Sequence, residues 1–147
     1  MTTSKSLSDH RVDARRRQVG YSVSIAVNAV LLVALLGWPG WESVPFLTDD
    51  FGRIVGWVVA ALVAGIVANA MYLIADPPIV EMIGELAIDT FGLIALVRLW
   101  QVFPFDFGDS GIPWSTVARV VLAVGIAGTA IAMVVVIVQT ALRRRSP

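Results

Sequence analysis

Polar and apolar positions alternate along this chain in long blocks, not residue by residue. Residues 1–18 are polar, rich in Ser, Thr and Asp, with Lys5, Arg11 and the run Arg15-Arg16-Arg17. Residues 20–38 are almost wholly apolar, and so in large part are 54–75, 79–103 and 114–142. About 20 apolar residues cross the hydrocarbon core of a bilayer as a helix, so each block is of spanning length. Backbone amides cannot stay unpaired in hydrocarbon, and the period-2 alternation of a barrel wall is missing, which leaves helices. Turn chemistry separates the blocks. Residues 39–53 contain Pro39, Gly40, Pro45, Asp49 and Asp50, and a second loop runs from Pro104 to Pro113. Between them, Asp76-Pro77-Pro78 forces a tight hairpin, because proline has no N–H to donate and disfavours helix in the residue before it. The expected fold is an all-α, four-helix transmembrane bundle, up-down-up-down. A basic tail at 1–18 and another at 143–147 flank a membrane domain at 19–142. Such a chain belongs in the cell membrane as a multi-pass protein.

The first apolar block follows a basic segment, as a secretory signal would. A signal has an apolar stretch of about 7–15 residues before a small-residue cleavage site. This block is longer and ends in Trp38-Pro39-Gly40-Trp41 with no Ala-x-Ala pattern, which favours an uncleaved helix.

Charge then fixes an expected sidedness. Eleven basic and eleven acidic residues cancel, so the chain lacks the basic character of a nucleic-acid binder. The two signs are nonetheless segregated. The tails hold Lys5, Arg11, Arg15, Arg16, Arg17, Arg143, Arg144 and Arg145. The loops at 39–53 and 104–113 hold Glu42, Asp49, Asp50, Asp106 and Asp109 against Arg53 alone. The positive-inside rule therefore puts both termini in the cytoplasm. Trp38, Trp41, Trp57, Trp100 and Trp114 fall at the outer interface on this reading, and Tyr21 and Tyr72 at the inner one, the levels such rings prefer. The basic tails should also attract anionic lipids, at about 1 kcal/mol per residue; docking of an acidic protein is the alternative.

The chemistry-bearing positions lie mostly in the third block. Glu81, Glu85 and Asp89 are spaced i, i+4, i+8 and form one stripe of a helix. Asp89 lies about ten residues beyond the Pro-Pro turn, roughly 15 Å deep at 1.5 Å per residue and close to the bilayer centre. An unpaired carboxylate there costs on the order of 3 kcal/mol, so it should face the bundle interior with a partner or carry its proton. Asn28, Asn69 and Thr90 lie at similar depth and complete a candidate intramembrane polar cluster. Two readings follow. The cluster is a proton or cation path through Asp89 and Glu85, or it is interhelical hydrogen bonding that locks the bundle. Glu81 by itself reads as an interfacial, solvated acid. Arg98 points to the opposite helix face from Asp89, because nine residues correspond to about 900° of rotation. It can snorkel outward and, with Arg53, Arg119, Asp49, Asp50, Asp106 and Asp109, form an outer-face ion-pair network, read as a structural latch with an anion-binding site as the alternative.

Small residues at Gly56, Ala60, Ala64 and Ala68, and at Gly125, Gly128 and Ala132, allow helices to approach closely. Internal packing is the plain reading and a homo-oligomer face the alternative. The loops echo one another: Val44-Pro45-Phe46 with Asp50-Phe51-Gly52, and Phe103-Pro104-Phe105-Asp106-Phe107-Gly108. Asp-Phe-Gly occurs twice without the companion loops of a kinase. With no cysteine and one histidine, His10, no triad, zinc or haem signature can be assembled. The expectation is no enzyme, no cofactor and no metal.

The stretch from Trp41 to Phe107, with Val-Pro-Phe-Leu-Thr at 44–48 and Trp-Gln-Val-Phe-Pro-Phe-Asp-Phe at 100–107, resembles a group of small four-span prokaryotic membrane proteins of actinobacterial and haloarchaeal type. The group has no assigned activity. The resemblance implies the membrane fold and carries over no functional residue. The expected role is that of a structural or accessory membrane protein, with the small proton or cation pathway as alternative.

Overall fold

Block hydropathy and the proline- and glycine-bearing breaks between blocks place the last three helices. The computed structural model describes residues 2–75, 78–109 and 111–143. Four helices form: α1 over Thr2–Leu36, α2 over Val55–Ile74, α3 over Pro78–Val102 and α4 over Trp114–Arg143. Short 3-10 turns at Trp41–Ser43 and Asp49–Arg53 occupy the first long loop. No strand interrupts the described residues. The apolar blocks and the last three helices agree to within a residue or two.

The N-terminal tail departs from expectation. The basic tail at 1–18 is helical and continuous with the first span, because α1 runs unbroken from Thr2 through the apolar block. No proline occurs before Pro39 and no glycine before Gly20, so nothing in the tail stops a helix that the apolar block nucleates. At 35 residues α1 is roughly 50 Å long, well beyond the hydrocarbon thickness. It ends where glycine permits a reversal. The Gly40 amide donates to the Ala34 carbonyl at 2.9 Å and Gly37 to Val33 at 2.8 Å, with Gly40 at φ +83°. The tail at 144–147 and the Asp76-Pro77 step lie outside the described residues. Pro78 opens α3, a first-turn position where its missing N–H costs nothing.

The helices pack in chain order, each antiparallel to the one before. Tyr21 and Asn28 of α1 meet Tyr72 and Gly65 of α2. Tyr72 and Trp57 of α2 meet Glu81 and Arg98 of α3. Met82 and Leu96 of α3 meet Thr140 and Gly125 of α4. Among the described residues α1 and α4 form no comparable seam, so the bundle is an open row with α2 and α3 in the middle. Three helices are long and apolar enough to cross a membrane: α1 over Arg15–Leu36, α2, and α4 over Trp114–Leu142. The 25-residue α3 has the length, but Glu81, Glu85, Asp89 and Arg98 set it apart in composition. Valine, isoleucine and leucine side chains lie exposed along α1 and α4, as on helices whose solvent is lipid.

The loop end is pinned by a short cross-link between the two echoing segments. The Thr48 amide donates to the Pro104 carbonyl at 3.0 Å, and the Asp106 amide to Phe46 at 2.9 Å, with Leu47 bridged antiparallel to Phe105. Phe51, Ile54 and Pro104 are buried beneath it. The echo is not a conformational repeat. Asp50-Phe51-Gly52 sits in a 3-10 turn, whereas Asp106-Phe107-Gly108 forms no regular element, with Gly108 at φ +58°.

Candidate functional site

The expected polar cluster divides into two parts because α1 packs on α2 and not on α3. Asn28 lies half-buried against Gly65, where a Cβ would come within 2.7 Å of its Nδ2. Asn69 is buried at 8% exposure and donates from Nδ2 to the Gly65 carbonyl at 2.7 Å. Both asparagines therefore converge on one glycine of α2, in the α1–α2 seam. Thr90 is exposed and donates to the Leu86 carbonyl of its own helix at 2.6 Å, a local bond that links nothing. These three residues do not solvate Asp89, as the sequence suggested they would.

The α2–α3 hairpin is closed by a residue that the sequence reading assigned only to an interface. Tyr72 is buried, packs at a tilt against Tyr21 with 5.2 Å between ring centroids, and donates from its hydroxyl to the Glu81 carbonyl at 3.0 Å. Gly84 makes room for it: a Cβ there would fall 2.7 Å from Tyr72 Cζ and closer still to the hydroxyl. A buried tyrosine needs a partner for its O–H. Here the partner is a carbonyl in the first turns of α3. One signal could have shown this: a tyrosine five residues before the Pro-Pro pair, facing a glycine on the return helix.

The acids of α3 are held differently. Residues Gly84, Ala95 and Arg98 mark the line facing α2, and Met82, Leu96 and Trp100 the line facing α4. Asp89 lies seven residues from both Met82 and Leu96, on the α4 line. The pairs Met82–Thr140 and Leu96–Gly125 place it level with Ala132 and Met133, neither of which offers a hydrogen-bond donor. Glu81 and Glu85 project between the two lines, on the side where Tyr72 crosses over. All three acids lie within electrostatic reach of the Tyr72 hydroxyl. Glu85 is exposed and Asp89 half-buried. Among the described residues neither carboxylate accepts a hydrogen bond or faces a basic group. The three acids do not converge on a point as a metal site would.

At the loop end, the expected ion-pair network shrinks to one bond. Arg53 Nη1 lies 3.4 Å from Asp50 Oδ1, with both side chains mostly exposed. The other two arginines sit on aromatic rings instead. The Arg98 guanidinium lies 5.9 Å from the Trp57 ring, and that of Arg119 lies 4.1 Å from Phe103 and 5.5 Å from Trp100. With indole and phenyl rings alongside, a weakly hydrated guanidinium gains by lying over a ring without ordering a distant carboxylate. Asp106 Oδ1 accepts the Gly108 amide at 3.0 Å, which orients a loop turn, and Asp109 is exposed. Arg15, Arg16 and Arg17 are exposed on α1. The side chain of Arg143, with Arg144 and Arg145, lies outside the described residues.

Of the small residues, Ala60, Ala64 and Ala68 line a groove of about 440 Å³ against Gly84 and Ala87 of α3, while Gly56 is open. No family model, curated protein or solved structure matches this chain.

Proposed function

We propose that this is a multi-pass protein of the cell membrane, crossing it four times with both termini in the cytoplasm, that works as a structural or accessory subunit for another membrane protein. Its antiparallel packing supports counting α3 among the spans. A helix wedged lengthwise between α2 and α4 shares whatever slab they occupy. The observation carrying the accessory reading is the pair Glu85 and Asp89, ionisable groups well inside α3 with no hydrogen-bond or ion-pair partner among the described residues. Such groups are expensive in hydrocarbon and are retained where something else meets them. The open row leaves a side of α3 for that purpose. The sequence offers no nucleophile–base set to accompany the acids, and the reading is not an enzyme. Anionic lipids held by Arg15, Arg16, Arg17, Arg143, Arg144 and Arg145 complete the picture at the cytoplasmic surface.

The proton or cation pathway stands second. The line Glu81, Glu85, Asp89 favours it over the inner half of the helix. Beyond Asp89 the same stripe continues through Leu93, Leu96 and Trp100, and its polar character stops. A path through this chain alone would end halfway.

Gentle detergent extraction separates the readings. The accessory role predicts a membrane protein co-purifying with the parent and lost from the Glu85→Gln/Asp89→Asn double variant. A parent chain that always purifies alone counts against it. Flux in proteoliposomes that Asp89→Asn abolishes would instead establish the pathway.

A further inference from the structure

The cross-linked loops create a second feature, unrelated to the acids of α3. A cleft of about 650 Å³ opens at the loop end, lined by Pro45, Phe46, Asp106, Phe107, Gly108 and Trp114. Its walls are aromatic, and its one charged group is a carboxylate. Phe46 and Trp114 are large rings left substantially exposed. Phe46 and Phe107 stack at 5.8 Å, and Phe105 stacks on Phe107 at the same distance, so the wall is a continuous row of rings. The backbone bonds between Thr48 and Pro104 and between Asp106 and Phe46 hold that wall rigid. One oxygen of Asp106 is occupied by the Gly108 amide, which orients the group.

We infer that this cleft binds the alkylammonium headgroup of a membrane phospholipid. Ring faces attract cations, and a ring-walled site with one carboxylate suits a methylated or primary ammonium that has shed part of its water. The charge at this end of the molecule agrees. Glu42, Asp49, Asp50, Asp106 and Asp109 outnumber Arg53, and Arg98 and Arg119 are taken up on Trp57, Trp100 and Phe103. An anionic headgroup would meet no cation in the cleft. Trp57, Trp100 and Trp114 mark the same level as the bilayer interface, where lipid headgroups lie. A lipid is therefore the source at hand, in preference to a soluble amine.

The test uses the full chain in maltoside micelles, titrated with dihexanoyl phosphatidylcholine, with dihexanoyl phosphatidylglycerol, and with tetramethylammonium chloride, while the indole N–H signals are followed by NMR. Phosphatidylcholine should shift the Trp114 signal saturably, and phosphatidylglycerol should not. Asp106→Asn keeps an acceptor for the Gly108 amide while removing the charge, and should weaken phosphatidylcholine binding about fivefold; Phe107→Leu should do the same or more. Unchanged indole signals elsewhere would show that both variants remain folded. Equal response to the two lipids, or an Asp106→Asn variant that binds like the parent, would overturn the proposal. Tetramethylammonium binding as tightly as the lipid would transfer the site to a soluble amine and overturn the lipid assignment.

Discussion

The two outer seams of the row treat polarity in opposite ways. Between α1 and α2, the two buried polar side chains have something to hold: Asn69 donates to the Gly65 carbonyl, and Tyr72 packs at a tilt against Tyr21 while its hydroxyl reaches on to α3; Asn28, half-buried in the same seam, lies against Gly65. Between α3 and α4, Asp89 lies on the contact line opposite alanine and methionine, with Glu85 exposed beside it. One cross-helix polar contact occurs in that seam, Thr140 to Met82 Sδ at 3.0 Å, and sulfur is a weak acceptor. Both seams are made of similar apolar residues. What differs is that the first bonds its buried polar groups, Asn69 and Tyr72, within the chain, and the second leaves charge over. The first seam therefore looks like fold and the second like function.

The largest effect should come from the hairpin that joins the two. Gly84→Val drives a branched side chain into the Tyr72 ring and removes the bond to the Glu81 carbonyl. Overpacking and the lost hydrogen bond together should cost about 3 kcal/mol in a detergent-denaturation titration. Next comes Gly65→Ala, which places a methyl on the Asn28 amide and should cost about 2 kcal/mol. Adding Asn28→Ala should recover most of that loss, since the obstacle is one side chain; additive costs would mean that Gly65 matters for its backbone instead. Asp89→Leu should act with the opposite sign. Removing a half-buried, unpartnered carboxylate should stabilise the isolated chain by about 1 kcal/mol, reduced from the full insertion cost by its partial exposure. Destabilisation by Asp89→Leu would show that the acid has an intramolecular role and would erase the contrast between the seams.

How much of this was legible beforehand follows the range of each force. Block hydropathy sets helix number and boundaries, so α2, α3 and α4 appear where expected. The helix through residues 2–18 was missed because a polar segment has no apolar period to announce it, while its continuity with α1 depends only on the absence of breakers. The spacing of Glu81, Glu85 and Asp89 was legible as a stripe. Their neighbours were not, because depth along a helix says nothing about which helix lies alongside. Asn28 and Asp89 share a depth, but α1 and α3 are not partners in the row. Tyr72 was read as an interfacial ring because its role depends on a glycine twelve residues onward, across a turn.

The smallest effects test the loop end, where composition suggested ion pairs and geometry gives ring stacking for two of three arginines. Arg119→Ala removes a guanidinium from between Phe103 and Trp100 and should cost about 1 kcal/mol, with Arg119→Lys recovering little of it, since an ammonium cannot lie flat on two rings. Arg53→Ala breaks a bond 3.4 Å long between groups 74% and 59% exposed and should change stability by no more than about 0.5 kcal/mol. Salt sharpens the distinction. The Arg53 contribution should vanish at high ionic strength, while that of Arg119 should persist, because ring contact falls within a distance that mobile ions do not enter. If Arg53→Ala proved the costlier change, and salt abolished both, the acidic loops would be holding this end together through long-range charge after all, and the rings would be bystanders.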